Sequence, residues 1–492
     1  MDPEITEFAR SYQAFHEAMT QAAGGGQPRL TPLGEHIQDF LGVPLDEVEP
    51  ITEYFPNHQS IDADLALEAL LSELNGKRRG ISGSHREHVE TFNDFLTYSF
   101  GSFALGGVAY ERMATGPDSD RRVVALGLGE VRIDGVPLVW LQRTAVPRAG
   151  RVRYTVELLC PDGPTGDRFL TTVRERMARL SVLRGQVISF VVNAFDYHEA
   201  GSELTFLRRP QVSAEEVILP DGTLERVARH VVDIGEHTDA LLAAGQHLKR
   251  GVLLYGPPGT GKTHLVRHLL SRTPGTTAVL LSGRTLWLLN DATALARAAP
   301  PAIVVLEDCD LAAEQRGGDT NPILFETLEA MDGLAADADI TFILTTNRVD
   351  LLERALVERP GRVDLAVEIP KPDLEARERL FRLYAAEMLA ADQLTEAAVH
   401  TAASRTEGVT ASFTKELIRR AAINAAQENR PPRDADISHA LDEMLSDAES
   451  LTRTLLGGEG SPFAEDAEWE PDEGPGLQPR PGMPPDAYWR PF

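Results

Sequence analysis

Apolar residues recur three and four positions apart at Ile5, Phe8, Tyr12, Phe15 and Met19, laying one stripe along a first helix that Gly24-Gly25-Gly26 ends. Helical spacing returns at Leu33–Leu41 and Asp64–Leu74, so residues 1–110 read as an acidic N-terminal helical region. From Arg121 the pattern changes. Val123–Leu128, Val136–Arg143 and Val152–Cys160 read as strands, with Asp134-Gly135 a turn signal between the first two. Asp167–Leu183 is helical by the spacing of Phe169, Val173, Met177 and Leu180, and Val187–Val192 and Leu204–Leu207 read as further strands. Residues 111–215 are therefore expected to form a small α+β domain with a structural or recruiting role.

Leu224–Val232 reads as an amphipathic helix, after which the apolar stretches become short and continuous. Val252–Tyr255, Thr277–Leu281, Ile303–Leu306 and Thr341–Thr346 have the length and composition of buried strands. They define a unit over residues 216–371. Beyond Pro370 four helices follow, Leu374–Leu389, Thr395–Ser404, Ala411–Asn429 and Asp436–Leu455, within a helical unit over residues 372–456. Residues 457–492 are rich in proline, glycine and acid without periodicity, so a disordered tail is expected. Its end, Tyr488-Trp489-Arg490-Pro491-Phe492, suits a docking peptide or a spacer equally.

Composition narrows the partners. Of 492 residues 42% are hydrophobic and 25% charged, the make-up of ordinary globular domains. The net charge of −27 would repel a phosphate backbone over most of the surface, so no nucleic-acid partner is predicted. Cys160 and Cys309 cannot build a disulfide framework and read as buried thiols of a reducing compartment. His58, His85 and His88 lack the cysteine or acidic cluster that would complete a metal set. The acidic start Met1-Asp2-Pro3-Glu4 is not a signal peptide, and the most apolar window, Leu96–Tyr110, is too short to span a bilayer. No membrane span and a cytoplasmic setting are expected.

The candidate chemistry centres on Gly256-Pro257-Pro258-Gly259-Thr260-Gly261-Lys262-Thr263, which fits G-x-x-x-x-G-K-[ST] between a predicted strand and a predicted helix. Glycines let backbone N–H groups ring the phosphates of a nucleotide, and the helix N-terminus adds a favourable partial charge. Lys262 would reach the β- and γ-phosphates and Thr263 would hold Mg²⁺, with His264 the next residue of the site. Glu307-Asp308, at the end of the third apolar strand, supplies two carboxylates suited to Mg²⁺ positioning and water activation.

With GPPGTGKT, IVVLED, Ile340–Asn347 (ITFILTTN) and Leu351–Asp364 (LLERALVERPGRVD) in this order, the block from about 217 to 445 resembles the AAA ATPases. The resemblance implies an α/β phosphate-loop fold with a parallel-sheet large subdomain (216–371), a helical small subdomain (372–456) and the N-terminal helical and α+β region before them. It implies that ATP is bound with Mg²⁺ on Thr263 and Glu307, and that Asp308 with Asn347 polarises water. Arg359 and Arg362 match arginine fingers inserted into a neighbour's site, which requires a homo-oligomeric ring of six or seven subunits. Ile234 and Gly235 match the adenine-contacting segment, and Ala411 and Ser412 fall near the small-subdomain adenine contact.

Two features differ from most of that family. The third strand ends in Glu307-Asp308 rather than Asp-Glu. No aromatic-apolar-Gly gripping loop follows the second strand, where the expected position is Asn290-Asp291-Ala292 and the nearby Trp287 reads as core. Leu280–Ser282, Leu306–Ala313 and Arg359–Leu365 are similar to the Bcs-type AAA proteins that move the Rieske iron–sulfur protein across the inner mitochondrial membrane. That branch has an N-terminal membrane helix, which is not found here. The expectation is an ATP-driven ring that remodels or chaperones a protein partner bound through the N-terminal region. A nucleotide-gated binding module with slow turnover is the first alternative, and an unfoldase feeding a protease the second.

Overall fold

The computed structural model describes residues 29–86, 89–97, 102–145, 153–191, 203–310, 338–348 and 363–446. The stripe at 5–19, the finger candidates Arg359 and Arg362, and the tail from 457 lie outside them. The chain divides between Lys371 and Pro372 into two compact units.

The first unit opens with α1 (Pro32–Leu41), whose N-cap Thr31 accepts a hydrogen bond from Gly34 N–H and whose left-handed Gly42 ends it. It is followed by β1 (Ile51–Pro56), α2 (Ser60–Glu73), β2 (Lys77–Ser82), α3 (Phe92–Leu96), β3 (Ala104–Gly106) and β4 (Ala109–Gly116). Next come β5 (Ser119–Ile133), β6 (Val136–Ala145), β7 (Arg153–Leu159) and α4 (Gly163–Leu180). All seven strands form one antiparallel sheet, ordered β1-β7-β6-β5-β2-β3 with β4 alongside β5. The β5–β6 turn has both central residues at positive φ, Asp134 at 49° and Gly135 at 86°, as its Asp-Gly sequence favours.

Both faces of this sheet are covered. Leu67 of α2 and Phe169 of α4 pack with Trp140 and Leu158, while Ile37 of α1 and Phe95 of α3 pack with Val139 and Leu141. Neighbouring residues of β6 therefore serve opposite cores, which explains its unbroken apolar run. Gly129 lies opposite Trp140, and an added Cβ would stand 2.0 Å from the indole ring. Gly129→Ala is expected to destabilise the protein by about 1–3 kcal/mol, read as a lower urea midpoint with an unchanged slope.

Two expected boundaries are corrected here. The region up to 110 is not only helical, because β1 to β4 begin the sheet that β5 to β7 complete. The domain expected to end at 215 closes earlier. The strands β8 (Val187–Val191) and β9 (Glu203–Leu207) belong to a second sheet, where β8 runs parallel to β11 (Thr277–Ser282) and β9 antiparallel to β8. Strand pairing joins residues remote in the chain, and nothing local in an apolar run names its partner.

That second sheet is ordered β14-β10-β13-β12-β11-β8-β9, with β10 (Arg250–Tyr255), β12 (Ala302–Glu307), β13 (Ile340–Thr346) and β14 (Leu365–Glu368) all parallel. Between β9 and β10 lies α5 (Thr223–Ala228), continued by a π-helical stretch at Arg229–Asp233 and short turns at Ile234–Glu236 and Thr238–Ala243. The helix α6 (Lys262–Arg272) packs Leu265, Val266 and Leu269 on one face of the sheet. On the other, α7 (Leu289–Ala298) packs Leu289 and Leu295. Because β13 is inserted between β10 and β12, the C-terminal ends of these three strands meet. Trp287, expected in the core, is 40% exposed, and its neighbours Leu286 and Leu288 are buried instead.

The second unit is helical, with α8 (Leu374–Tyr384), α9 (Ala386–Ala390), α10 (Glu396–Arg405), α11 (Ala411–Gln427) and α12 (Asp434–Leu445). Phe381, Val399, Phe413, Leu417 and Leu441 share its core. Among the described residues no helix is long and apolar enough to cross a membrane.

Candidate functional site

The loop from Gly256 to Gly261 joins β10 to α6, and its glycines are required by backbone geometry. Gly256, Gly259 and Gly261 have φ of 142°, 77° and 106°. Gly256 also lies so near the Ile369 carbonyl that a Cβ would stand 2.2 Å from that oxygen. Thr260 Oγ1 donates to Pro257 O at 2.9 Å, which braces the loop across its own width.

Lys262, 6% exposed, turns back over this loop. Its Nζ donates to Gly256 O at 2.7 Å, Pro257 O at 2.9 Å and Asn347 Oδ1 at 2.8 Å. Burial pulls the ammonium below the usual lysine range, and the negative charges of Asp308 and Asp310 oppose that. The structure thus brings together Lys262 from the start of α6 and Asn347 from the end of β13, which are 85 residues apart in the chain.

Glu307 and Asp308 arrive from β12. Burial raises the Glu307 carboxyl above the usual range, Asp308 adds to this, and a hydrogen bond from Thr263 opposes it. A hydroxyl and a carboxylate in contact form an oxygen donor pair of the kind a hard divalent cation takes. Asp308 has φ of 52°, a left-handed conformation that aspartate adopts more readily than glutamate. That preference is a physical reason for the Glu-Asp order.

Three residues that sequence reasoning passed over hold this corner. Asp308 N–H donates to Thr345 Oγ1 at 3.0 Å and Cys309 N–H to Thr345 O at 3.0 Å. Asp310, 7% exposed, accepts from Thr346 Oγ1 at 3.0 Å and from Asn347 N–H at 3.3 Å. Asn347 Nδ2 lies 3.5 Å from Asp308 Oδ1. The available signals were an acid two residues beyond Asp308 and a Thr-Thr pair directly before Asn347.

The segment leading to α5 lies along α6. Arg209 donates to Leu270 O at 2.7 Å, Val212 O accepts from His268 Nδ1 at 2.9 Å, and Glu216 O accepts from His264 Nε2 at 3.1 Å. Rising residue numbers in the segment meet falling ones in the helix, so it runs toward Gly261 and the phosphate loop. His264, expected to touch nucleotide, spends its ring nitrogen on this segment.

The adenine candidates Ile234 and Gly235 are not brought to the phosphate loop. Gly235 lies beside Arg250, the first residue of β10, where a Cβ would come 3.2 Å from the guanidinium. With Arg250, Asp339 and Thr341 it lines a cavity at the N-terminal ends of the strands, while the loop sits at their C-terminal ends. The six-residue β10 separates the two edges by about 17 Å. A two-residue likeness carries no register of its own, which is why the sequence misplaced it. Ala411 and Ser412 open α11 behind its N-cap Thr410, in the second unit.

The family model of the ATPase family associated with various cellular activities (AAA) matches residues 252–371. The proteasome-activating nucleotidase of Methanocaldococcus jannaschii is 30% identical over 48% of this chain and 57% of its own length. The 26S protease regulatory subunit 6A of Caenorhabditis elegans is 34% identical over 34% of the chain and 42% of its own length. The ATP-dependent zinc metalloprotease FtsH 2 of Symbiobacterium thermophilum is 33% identical over 46% and 39%. The chain thus spans about half the length of these curated relatives. They are proteasomal and FtsH proteins, not Bcs-type ones. With the glycine loop, its lysine, the two carboxylates and the asparagine assembled on one parallel sheet, residues 252–371 are an AAA ATPase domain.

Proposed function

We propose that this protein is a ring-forming, Mg²⁺-dependent ATP hydrolase that remodels a protein partner. The observation that carries the reading is the convergence of Lys262, Asn347, Glu307 and Asp308 on the phosphate loop. The loop amides and Lys262 bind the phosphates of ATP, and Asp308 with Asn347 orients and deprotonates the attacking water. Thr263 and Glu307 would hold Mg²⁺, which when bound offsets negative charge on the β- and γ-phosphates. The base is then flanked by the segment around Val217–Leu219, which runs toward the loop, rather than by Ile234 and Gly235.

A ring of six or seven subunits is part of this reading, because Arg359 and Arg362 act on a neighbour's nucleotide. The sheet-bearing N-terminal region recruits the partner. The buried thiols Cys160 and Cys309 support a reducing, cytoplasmic setting. The Glu307-Asp308 order and the run Arg359–Leu365 support a place near the Bcs-type branch. ATP turnover measured against protein concentration, with particle size in parallel, tests the proposal. Specific activity should rise as rings form. Activity that stays flat through assembly would leave a nucleotide-gated binding module as the better account.

The names of the relatives favour a second reading, an unfoldase that delivers protein to a protease. The half-exposed Trp287 after β11 supports it, since an aromatic there can grip an extended chain. No HExxH signature occurs in the given sequence.

A further inference from the structure

Asp310 lies on the short stretch that follows β12, two residues beyond Asp308. Its carboxylate is buried, yet it pairs with no lysine or arginine among the described residues. It is spent on the end of β13, where one oxygen receives both the Thr346 hydroxyl and the Asn347 amide. Asn347 in turn reaches Lys262 through Oδ1 and Asp308 through Nδ2. A buried carboxylate is costly unless hydrogen bonds satisfy it. Two donors from adjacent residues, one of them the backbone of Asn347, fix that residue's main chain and so limit where its amide group can point.

We propose that Asp310 is a positioning residue for ATP hydrolysis: it sets Asn347 against Lys262 and Asp308, so the asparagine and the carboxylate face the attacking water as one rigid pair. The inference rests on the proposed ATPase function. Asp310 transfers no proton and touches no substrate. Its effect is geometric, and a misplacement of about 1 Å at a reacting centre costs on the order of 100-fold in rate. Thr346 is the second fastening, and Thr345 performs the same service for Asp308 from the strand side.

The test uses the full chain with Asp310→Ala, Asp310→Asn, Asn347→Ala and the Asp310→Ala/Asn347→Ala pair. Asp310→Ala should lower kcat by about 100-fold while ADP affinity stays within about two-fold. Asp310→Asn, which keeps an acceptor for both donors, should recover most of the rate. The double variant should be no slower than Asn347→Ala, because the two act through one another. Hydrogen–deuterium exchange over the peptide that contains Asn347 reads the tie without any turnover: faster exchange in Asp310→Ala, near-native exchange in Asp310→Asn. Undetectable wild-type hydrolysis would end the ATPase reading, and unchanged exchange in Asp310→Ala would end the tie itself. Wild-type kcat in Asp310→Ala, or full additivity with Asn347→Ala, would overturn the proposed role.

Discussion

Lys262→Ala is expected to abolish ATP turnover and to weaken nucleotide binding, with a loss on the order of 10³-fold in kcat/KM. The lysine is the one ammonium whose Nζ is shown bonded inside the phosphate loop, and its three acceptors there are Gly256 O, Pro257 O and Asn347 Oδ1. Phosphate oxygens are stronger acceptors than carbonyls, so an entering nucleotide exchanges weak partners for charged ones. Alanine removes the charge that faces the phosphates, and it also leaves Asn347 without the partner that holds its Oδ1. Lys262→Arg should not rescue. A planar guanidinium cannot donate to three acceptors grouped around one nitrogen, and it brings more bulk into a space where lysine is already buried. Fluorescent nucleotide titration with turnover under saturating ATP separates the two losses. Wild-type affinity in Lys262→Ala would mean that the loop amides alone carry binding.

The parts of this molecule that were legible from sequence are those whose information is local. β10, β12 and β13 are buried on both faces, so each reads as an unbroken apolar run whatever its neighbours are. The glycine loop is contiguous, and its chemistry follows from residues that touch in the chain. The N-terminal sheet was half missed because β1 and β2 do not look like core strands. Ile51–Pro56 alternates partly buried and exposed positions, and Lys77–Ser82 opens with Lys-Arg-Arg. Their pairing with β7 and β5 supplies the strand identity that composition withholds. The same limit applied to β8 and β9, which are recognisable as strands but do not announce the sheet they join. In the site, Glu307, Asp308 and Asn347 were found by motif. Asp310 was not, since its role exists only once β13 lies beside β12.

Arg359→Ala and Arg362→Ala are expected to lose ring-dependent turnover by about 10³-fold while rings still form and ADP still binds. The trans role of both arginines is part of the proposed ring. Asp364 N–H donates to Gly251 O at 2.9 Å, and Gly251 N–H returns a bond to Asp364 Oδ2 at 2.9 Å. These bonds hold Asp364 at the N-terminal end of β10. The phosphate loop of the same subunit is about 16 Å away along β10. In the proposed ring the finger guanidinium comes from a second subunit, where it would offset charge developing on the transferred phosphoryl group. Mixing the variants makes the point without a structure of the ring. Lys262→Ala and Arg362→Ala should each be inactive alone, but a mixed ring would contain interfaces where an intact lysine meets an intact arginine. Turnover should reappear on mixing and rise with subunit exchange. A mixture that stays silent although hetero-rings form, or an Arg362→Ala ring as active as wild type, would move Arg362 out of the site.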